Sequence, residues 1–189
     1  MCRRLMCVVF AAVVVCAPVA SAQNFLPNVW GTIGATGIVD EADQSLHVFN
    51  NTGSVAIAAS AASATVDLRY PIGTMPANNL VPGECVQLRA MIRDTGADAR
   101  VILRVMRVNV SSGTQRSLGE IDSNDTPIFS GTDYHLHQTC LNVSSMPDFP
   151  IDSALFAYYV HAQLIKTTRA GNPGLLVLQI CNPDEACQP

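Results

Sequence analysis

His135 and His137 stand two residues apart in a segment with the composition of a strand. Residues so spaced share one face of a strand, so both imidazoles can reach a single metal ion. Copper or zinc is the chemistry such a pair suggests, and only His47 and His161 are left among the histidines to supply a third nitrogen. Two ligands do not complete a site, and a strand histidine without a metal is the plainer reading.

A second group is cationic. Arg89, Arg93, Arg100 and Arg104 occupy two consecutive segments in which apolar and polar residues alternate. Joining those segments as a hairpin through residues 94–99, a polar run containing Gly96, sets Arg93 opposite Arg100 and Arg89 opposite Arg104. Like charges directly opposite one another cost roughly 0.2–1 kcal/mol per pair. Either Glu120 and Asp122 on the following segment neutralise them as a solvated ladder, or the planar guanidinium forks form an anion-recognising surface for carboxylate, sulfate or phosphate. Tyr159 and His161, on the polar side of a later alternating segment, join these arginines as candidate ligand contacts.

Catalytic signatures are absent from the sequence. There is no Gly-x-Ser-x-Gly elbow, and no residue stands out as the nucleophile of a triad. Glycoside hydrolysis needs two carboxyl groups facing each other across a cleft. The glutamates beyond the leader, Glu41, Glu84, Glu120 and Glu185, fall in turns, at strand ends or beside arginines. Asp122, Asn124 and Asp125 make one oxygen-rich turn, and Asp40, Glu41 and Asp43 another. Each offers oxygen donors that suit a structural calcium, although neither has EF-hand spacing. No other cofactor is expected.

The elements that must position these residues are strands. Val86, Leu88, Ala90 and Ile92 alternate with Gln87, Arg89, Met91 and Arg93, and Val101, Leu103 and Val105 alternate with Arg100, Ile102, Arg104 and Met106. Period-two alternation of this length predicts half-buried strands. Ser111-Ser112-Gly113 predicts a hairpin turn with glycine in the left-handed position, which aligns Leu103 with Ile121 and Arg104 with Glu120. Phe156, Tyr158, Val160, Ala162 and Leu164 predict the inward side of a long strand, with Tyr159, His161, Gln163 and Ile165 outward. Further strands are expected over 46–49, 55–59, 65–70, 134–143 and 175–181. The loop over 71–83, with its prolines and glycines, is long enough to pass between sheets. Trp30, the only tryptophan, reads either as a plug at the core edge or as an exposed ring that stacks on a sugar.

Together these give about eight to ten strands and no amphipathic helix. The predicted fold is all-β, a two-sheet antiparallel β-sandwich of jelly-roll type. Residues 1–22 have two arginines, an apolar run and Ala20-Ser21-Ala22, the order of a secretory signal peptide, with cleavage expected after Ala22. The remaining 189 − 22 = 167 residues fit one domain, 23–189. Of the 11 basic residues Arg3 and Arg4 leave with the leader, so 9 stand against 15 acidic ones, a net charge of −6 that disfavours nucleic acid. No segment after the leader is long and apolar enough to span a membrane. Four cysteines stay in the exported chain. Cys181–Cys187 is favoured by the turn signal between them and Cys85–Cys140 follows by elimination.

The sequence therefore predicts a secreted or periplasmic, non-catalytic binding or structural module, with glycans or an extracellular protein as the ligand classes. A polysaccharide hydrolase is the first alternative, and a periplasmic copper- or zinc-binding protein the second.

Overall fold

Alternation becomes architecture by giving each strand one apolar face, and two sheets stack to cover those faces. The computed structural model describes residues 29–50, 52–73, 85–125, 131–141 and 154–181. The expected leader lies outside the described residues. Among the described residues there are eleven strands: β1 (Val29–Ile33), β2 (Ile38–Val39), β3 (His47–Phe49), β4 (Val55–Ile57), β5 (Ala64–Ile72), β6 (Val86–Arg93), β7 (Ala99–Asn109), β8 (Gln115–Asp122), β9 (His135–Leu141), β10 (Phe156–Lys166) and β11 (Gly174–Cys181). One antiparallel sheet runs β3-β4-β11-β6-β9, with β1 sharing an edge of β11, and the other runs β2-β5-β10-β7-β8. We call them the six-stranded and five-stranded sheets. The all-β, jelly-roll-like sandwich is as predicted.

Successive strands mostly change sheet. Only β3–β4 and β7–β8 are hairpins between consecutive strands. The core is built from the alternate positions expected. Val86, Leu88, Ala90 and Ile92 of one sheet face Val101, Leu103, Val105, Val160, Ala162 and Leu164 of the other, all essentially buried. Trp30 is half-buried and packs against this core from β1, the plug rather than the exposed ring.

The hairpin expected between β6 and β7 does not form. β6 pairs with β11 and β9, and β7 pairs with β10 and β8, so residues 94–98 carry the chain from one sheet to the other. Alternation is the same whether two strands lie side by side or stacked, which is why the pattern alone misassigned them. The link is pinned at its buried first residue. Asp94 is 1% exposed and its Oδ2 accepts from Ser123 Oγ at 2.5 Å, while its Oδ1 accepts from Gly96 N at 2.8 Å. Ser123 Oγ in turn accepts from Val101 N at 2.8 Å. Beside it runs the β10–β11 crossing, where Asn172 N donates to Thr95 Oγ1 at 2.8 Å and Thr167 N donates to Asp98 O at 3.0 Å. A Cβ on Gly171 would collide with the Asp98 carbonyl, so glycine is what lets the two crossings touch.

The β7–β8 hairpin forms with Leu103 opposite Ile121 and Arg104 opposite Glu120, the predicted register. Its route differs. Asn109 rather than Val110 pairs with Thr114, which lengthens the loop by one residue. A register shift after Val105 leaves Leu118 as an extra residue on β8 and restores the alignment. That bulge turns Leu118 into the core, at 2% exposure. Gly113 has φ +70°, the left-handed position expected of it.

Cys85 and Cys140 form a disulfide, with Cα atoms 5.3 Å apart, between the start of β6 and the end of β9. Cys181 is also disulfide-bonded; its expected partner Cys187 lies outside the described residues.

Candidate functional site

The four-arginine cluster is divided by the sandwich. Arg89 and Arg93 lie on the outer side of the six-stranded sheet, and Arg100 and Arg104 on the outer side of the five-stranded one. Arg89 sits between Gln138 of β9 and Gln179 of β11 and is buried. Arg93 donates to Asn172 through Nε to the backbone oxygen at 3.2 Å and through its terminal nitrogen to Oδ1 at 2.9 Å. Its guanidinium also stands over the Tyr134 ring, 5.1 Å from the centroid. Arg93 thus fastens the β10–β11 crossing to the six-stranded sheet. The Arg89–Arg104 and Arg93–Arg100 pairings are corrected, because strands of different sheets cannot oppose each other.

The other four candidates come together. β10 is the central strand of the five-stranded sheet, with β5 on one side and β7 on the other. Its register brings Arg69, His161, Arg104 and Glu120 into one row across four strands. The row on one side is Asp67, Gln163, Ile102 and Asp122, and on the other Pro71, Tyr159, Met106 and Ser117. This outer face is partly open and mixes its polar side chains with the apolar Pro71, Met106 and Ile102. That residue, bordered by Arg100 and Arg104 along its strand, is 4% exposed despite pointing outward, as expected where long aliphatic stems cover a neighbour.

Hydrogen bonds fix these side chains. His161 Nε2 and Asp67 Oδ1 are 2.8 Å apart, and Gln163 Nε2 donates to the same oxygen at 3.2 Å. Arg104 pairs with Glu120 through Nε, and Arg100 donates to both oxygens of Asp122, from Nε at 2.9 and 3.0 Å. The hydrogen bond from Arg100 holds the Asp122 carboxyl below the usual carboxylate range, against the opposing pull of its own burial. Arg100 and Arg104 are therefore the solvated ladder, each already committed to a carboxylate. The Arg104–Glu120 pair, half-open on both sides, contributes about 0–1 kcal/mol, whereas the Asp122 side chain is only 5% exposed beneath a half-open Arg100.

Tyr159 has the most informative geometry. Its hydroxyl donates to Gln115 Oε1 at 3.0 Å, and Gln115 belongs to β8, two strands away across β7. Neighbouring strands lie about 4.8 Å apart. The Tyr159 hydroxyl and the Gln115 amide therefore meet over β7. The tyrosine stands beside a row of hydrogen-bonding groups: the His161, Gln163 and Asp67 network, Arg104 and Arg69.

Sequence reasoning did not single out Asp67, Arg69, Gln115 or Gln163 as contacts. The outward parity of Asp67, Arg69 and Gln163 is legible in their segments. That β5 and β7 flank β10 is long-range pairing, which no local pattern encodes.

The histidine pair keeps the predicted parity, since His135 and His137 share a face of β9. That face is inward, opposite Ile92 and Ala90, and His137 is buried. Burial lowers its pKa, with Asp94 opposing and His135 adding to the effect. Among the described residues no cluster of three His, Cys, Asp or Glu side chains could hold a metal ion. The acidic turns have structural tasks: Asp40 Oδ1 accepts from Ala42 N at 3.3 Å, Asp43 Oδ2 accepts from Asp67 N at 2.9 Å, and Asp122 Oδ1 accepts from Asn124 N at 3.1 Å. No helix among the described residues is long and apolar enough to cross a membrane.

No protein-family model matches the chain, and no curated protein does. Solved structures similar to it include carbohydrate-binding modules, an adhesin domain and a carbohydrate esterase. A carbohydrate-binding module of the β-sandwich superfamily is 16% identical over 82% of this chain and 57% of its own, with a TM-score of 0.45. The K1 cleaved adhesin domain of Lys-gingipain from Porphyromonas gingivalis W83 is 14% identical over 82% and 98%, at 0.42. A family two carbohydrate esterase from Cellvibrio japonicus is 10% identical over 82% and 33%, at 0.38. The chain thus spans about a third of the esterase and somewhat over half of the first module.

Proposed function

We propose that the protein is an exported, non-catalytic glycan-binding module whose contact surface is the outer face of the five-stranded sheet. The observation that carries this is Tyr159, tied through its hydroxyl to Gln115 over β7, with His161, Gln163, Asp67 and Arg69 arranged beside it in register. A pyranose ring has apolar C–H faces and a rim of hydroxyl groups. It is matched by a flat aromatic plate next to donors and acceptors whose positions are already fixed, because fixing them in advance lowers the ordering cost of binding. The Cys85–Cys140 bridge supports export, since disulfides persist in oxidising compartments. The acids of this face serve as partners to Arg100, Arg104, His161 and Gln163, which supports recognition over hydrolysis.

The test is a glycan array followed by titration with neutral oligosaccharides, xylohexaose and β-1,4-galactotriose among them. Tyr159→Ala is expected to weaken the best ligand about thirtyfold, the loss of about 2 kcal/mol seen when an aromatic hot spot is truncated. Unchanged affinity in that variant, or no glycan bound above background, overturns the reading.

A further inference from the structure

The outward side of β7 changes character along its length. Arg100 and Arg104 occupy it at one end, whereas Met106, Val108 and, just past the strand, Val110 occupy it at the other. β10 changes in step: Gln163 and His161 give way to Tyr159 and Ala157, with Leu155 just before the strand begins. The register sets these residues side by side, Tyr159 opposite Met106 and Ala157 opposite Val108. Val110 N donates to Leu155 O at 2.9 Å, which carries the pairing one step past the strands. On the other flank of β10, Pro71 is opposite Tyr159 and exposed.

The outer face of the five-stranded sheet therefore has a charged half and an apolar half, and Tyr159 lies on the border. The apolar half is open to water: Val110 is 62% exposed, Leu155 is 51% exposed, and Ala157 is exposed as well. β8 borders it with Gln115 opposite Val108 and Ser117 opposite Met106, so none of these outward residues carries a formal charge. The Tyr159 hydroxyl is already engaged with Gln115. Covering such a surface with another apolar group is favourable in proportion to the area removed from water.

Size decides what covers it. Neighbouring strands lie about 4.8 Å apart and same-face residues about 6.8 Å apart along a strand, so the patch measures roughly 10 Å by 14 Å, on the order of 150 Å2. A stable contact between two proteins takes about 800 Å2 from each partner. The patch is too small for a second copy of the chain or a folded partner, and it fits a short hydrocarbon chain. Its continuity with the charged half supplies hydrogen-bonding groups for a polar head on the same ligand.

We propose that this half of the face binds the hydrocarbon tail of an acylated sugar, with Leu155, Val110, Val108 and Ala157 against the chain and the sugar beside Tyr159 and His161. That the chain arrives on a sugar rests on the proposed glycan-binding function; that a hydrocarbon chain binds here does not.

NMR titration of the 15N-labelled protein with the methyl and n-hexyl glycosides of xylose and galactose, alongside xylohexaose and β-1,4-galactotriose, provides the test. Covering one methylene completely tightens binding about fourfold and covering it from one side about twofold, so the five added carbons should favour hexyl over methyl about thirtyfold. Amide shifts at Val108, Val110 and Leu155 should report the chain and should be absent with the methyl glycosides. The double substitution Leu155→Ser with Val110→Ser should cut the hexyl advantage to about fivefold or less, and should leave the methyl glycosides and oligosaccharides unaffected. Both positions are exposed, and melting followed by circular dichroism confirms that the fold is intact. Equal affinity for hexyl and methyl glycosides overturns the proposal, as does a hexyl advantage undiminished in the double variant. Sedimentation showing wild type as a dimer and the double variant as a monomer also overturns it, since a second copy then covers the patch. Bound oligosaccharide without a hexyl advantage refutes this inference alone; a hexyl advantage without any bound oligosaccharide refutes the glycan reading alone.

Discussion

Replacing Ser123 by alanine removes one hydroxyl from the interior and should destabilise the sandwich far more than its size suggests. Ser123 is fully buried at the end of β8, and its Oγ makes two bonds at once, donating to Asp94 Oδ2 and accepting from Val101 N. In the variant a backbone N–H and a carboxylate oxygen both lose their partner out of contact with water. A buried neutral group left unsatisfied costs about 1–3 kcal/mol, and a charged one more. The two together come to about 3–5 kcal/mol, a large share of the roughly 5–15 kcal/mol that holds a domain folded. At about 2–4 °C per kcal/mol for a chain of this size, Tm should fall by roughly 10 °C. Denaturant unfolding gives the free energy directly. A double-mutant cycle with Asp94→Ala isolates the contact, because the double variant no longer buries an orphaned carboxylate and should lose less than the sum of the singles. A Ser123→Ala protein within about 1 kcal/mol of wild type, or strictly additive effects, would refute the description of Asp94 and Ser123 as a dry pin at the start of this crossing.

The buried His137 makes stability depend on pH. Its folded pKa lies below the unfolded value of about 6.5, so the unfolded chain takes up the proton first and stability should decline as pH falls below about 6.5, levelling off beneath the folded value. Unfolding midpoints at several pH values for wild type and His137→Gln check this: the variant should have the shallower decline, and parallel curves would remove His137 as the cause. Converting Cys85 and Cys140 to serine opens a loop spanning a sequence separation of 55. On the chain-entropy account this loses about 4 kcal/mol, measurable by denaturant titration against the oxidised protein; no change would mean that the bridge restricts neither state.

Particular residues mark how far sequence reasoning reached. Leu103 opposite Ile121 and Arg104 opposite Glu120 were legible because a short turn with glycine in the left-handed position joins two strands whose apolar faces must match. Even there the loop runs one residue longer than expected and the Leu118 bulge compensates. A turn motif and a burial pattern constrain the sum of loop and bulge, not each separately. The same reasoning failed between Ile92 and Val101, because Asp94 looks like a solvated turn residue until Ser123, 29 positions on, is brought against it. Tyr159 and His161 were legible as outward residues, and only the tertiary structure set them beside Gln115, Asp67 and Arg104 from three other strands.

By itself the sequence determined the class of fold, which residues face inward and which outward, the β7–β8 register and the Cys85–Cys140 pairing. All follow from local periodicity, turn chemistry or simple counting, and the one strand pairing among them is local, joined by a short turn. Tertiary structure decided the neighbours. It separated Arg89 and Arg93 from Arg100 and Arg104, tied the latter two to acids, and brought the Tyr159 hydroxyl to Gln115 over β7. The physical reason is that burying one face of a strand fixes its orientation and nothing else. Which partner lies alongside depends on crossings packed as tightly as Gly171 on Asp98 and on buried bonds such as Ser123 to Asp94, between residues far apart in the chain.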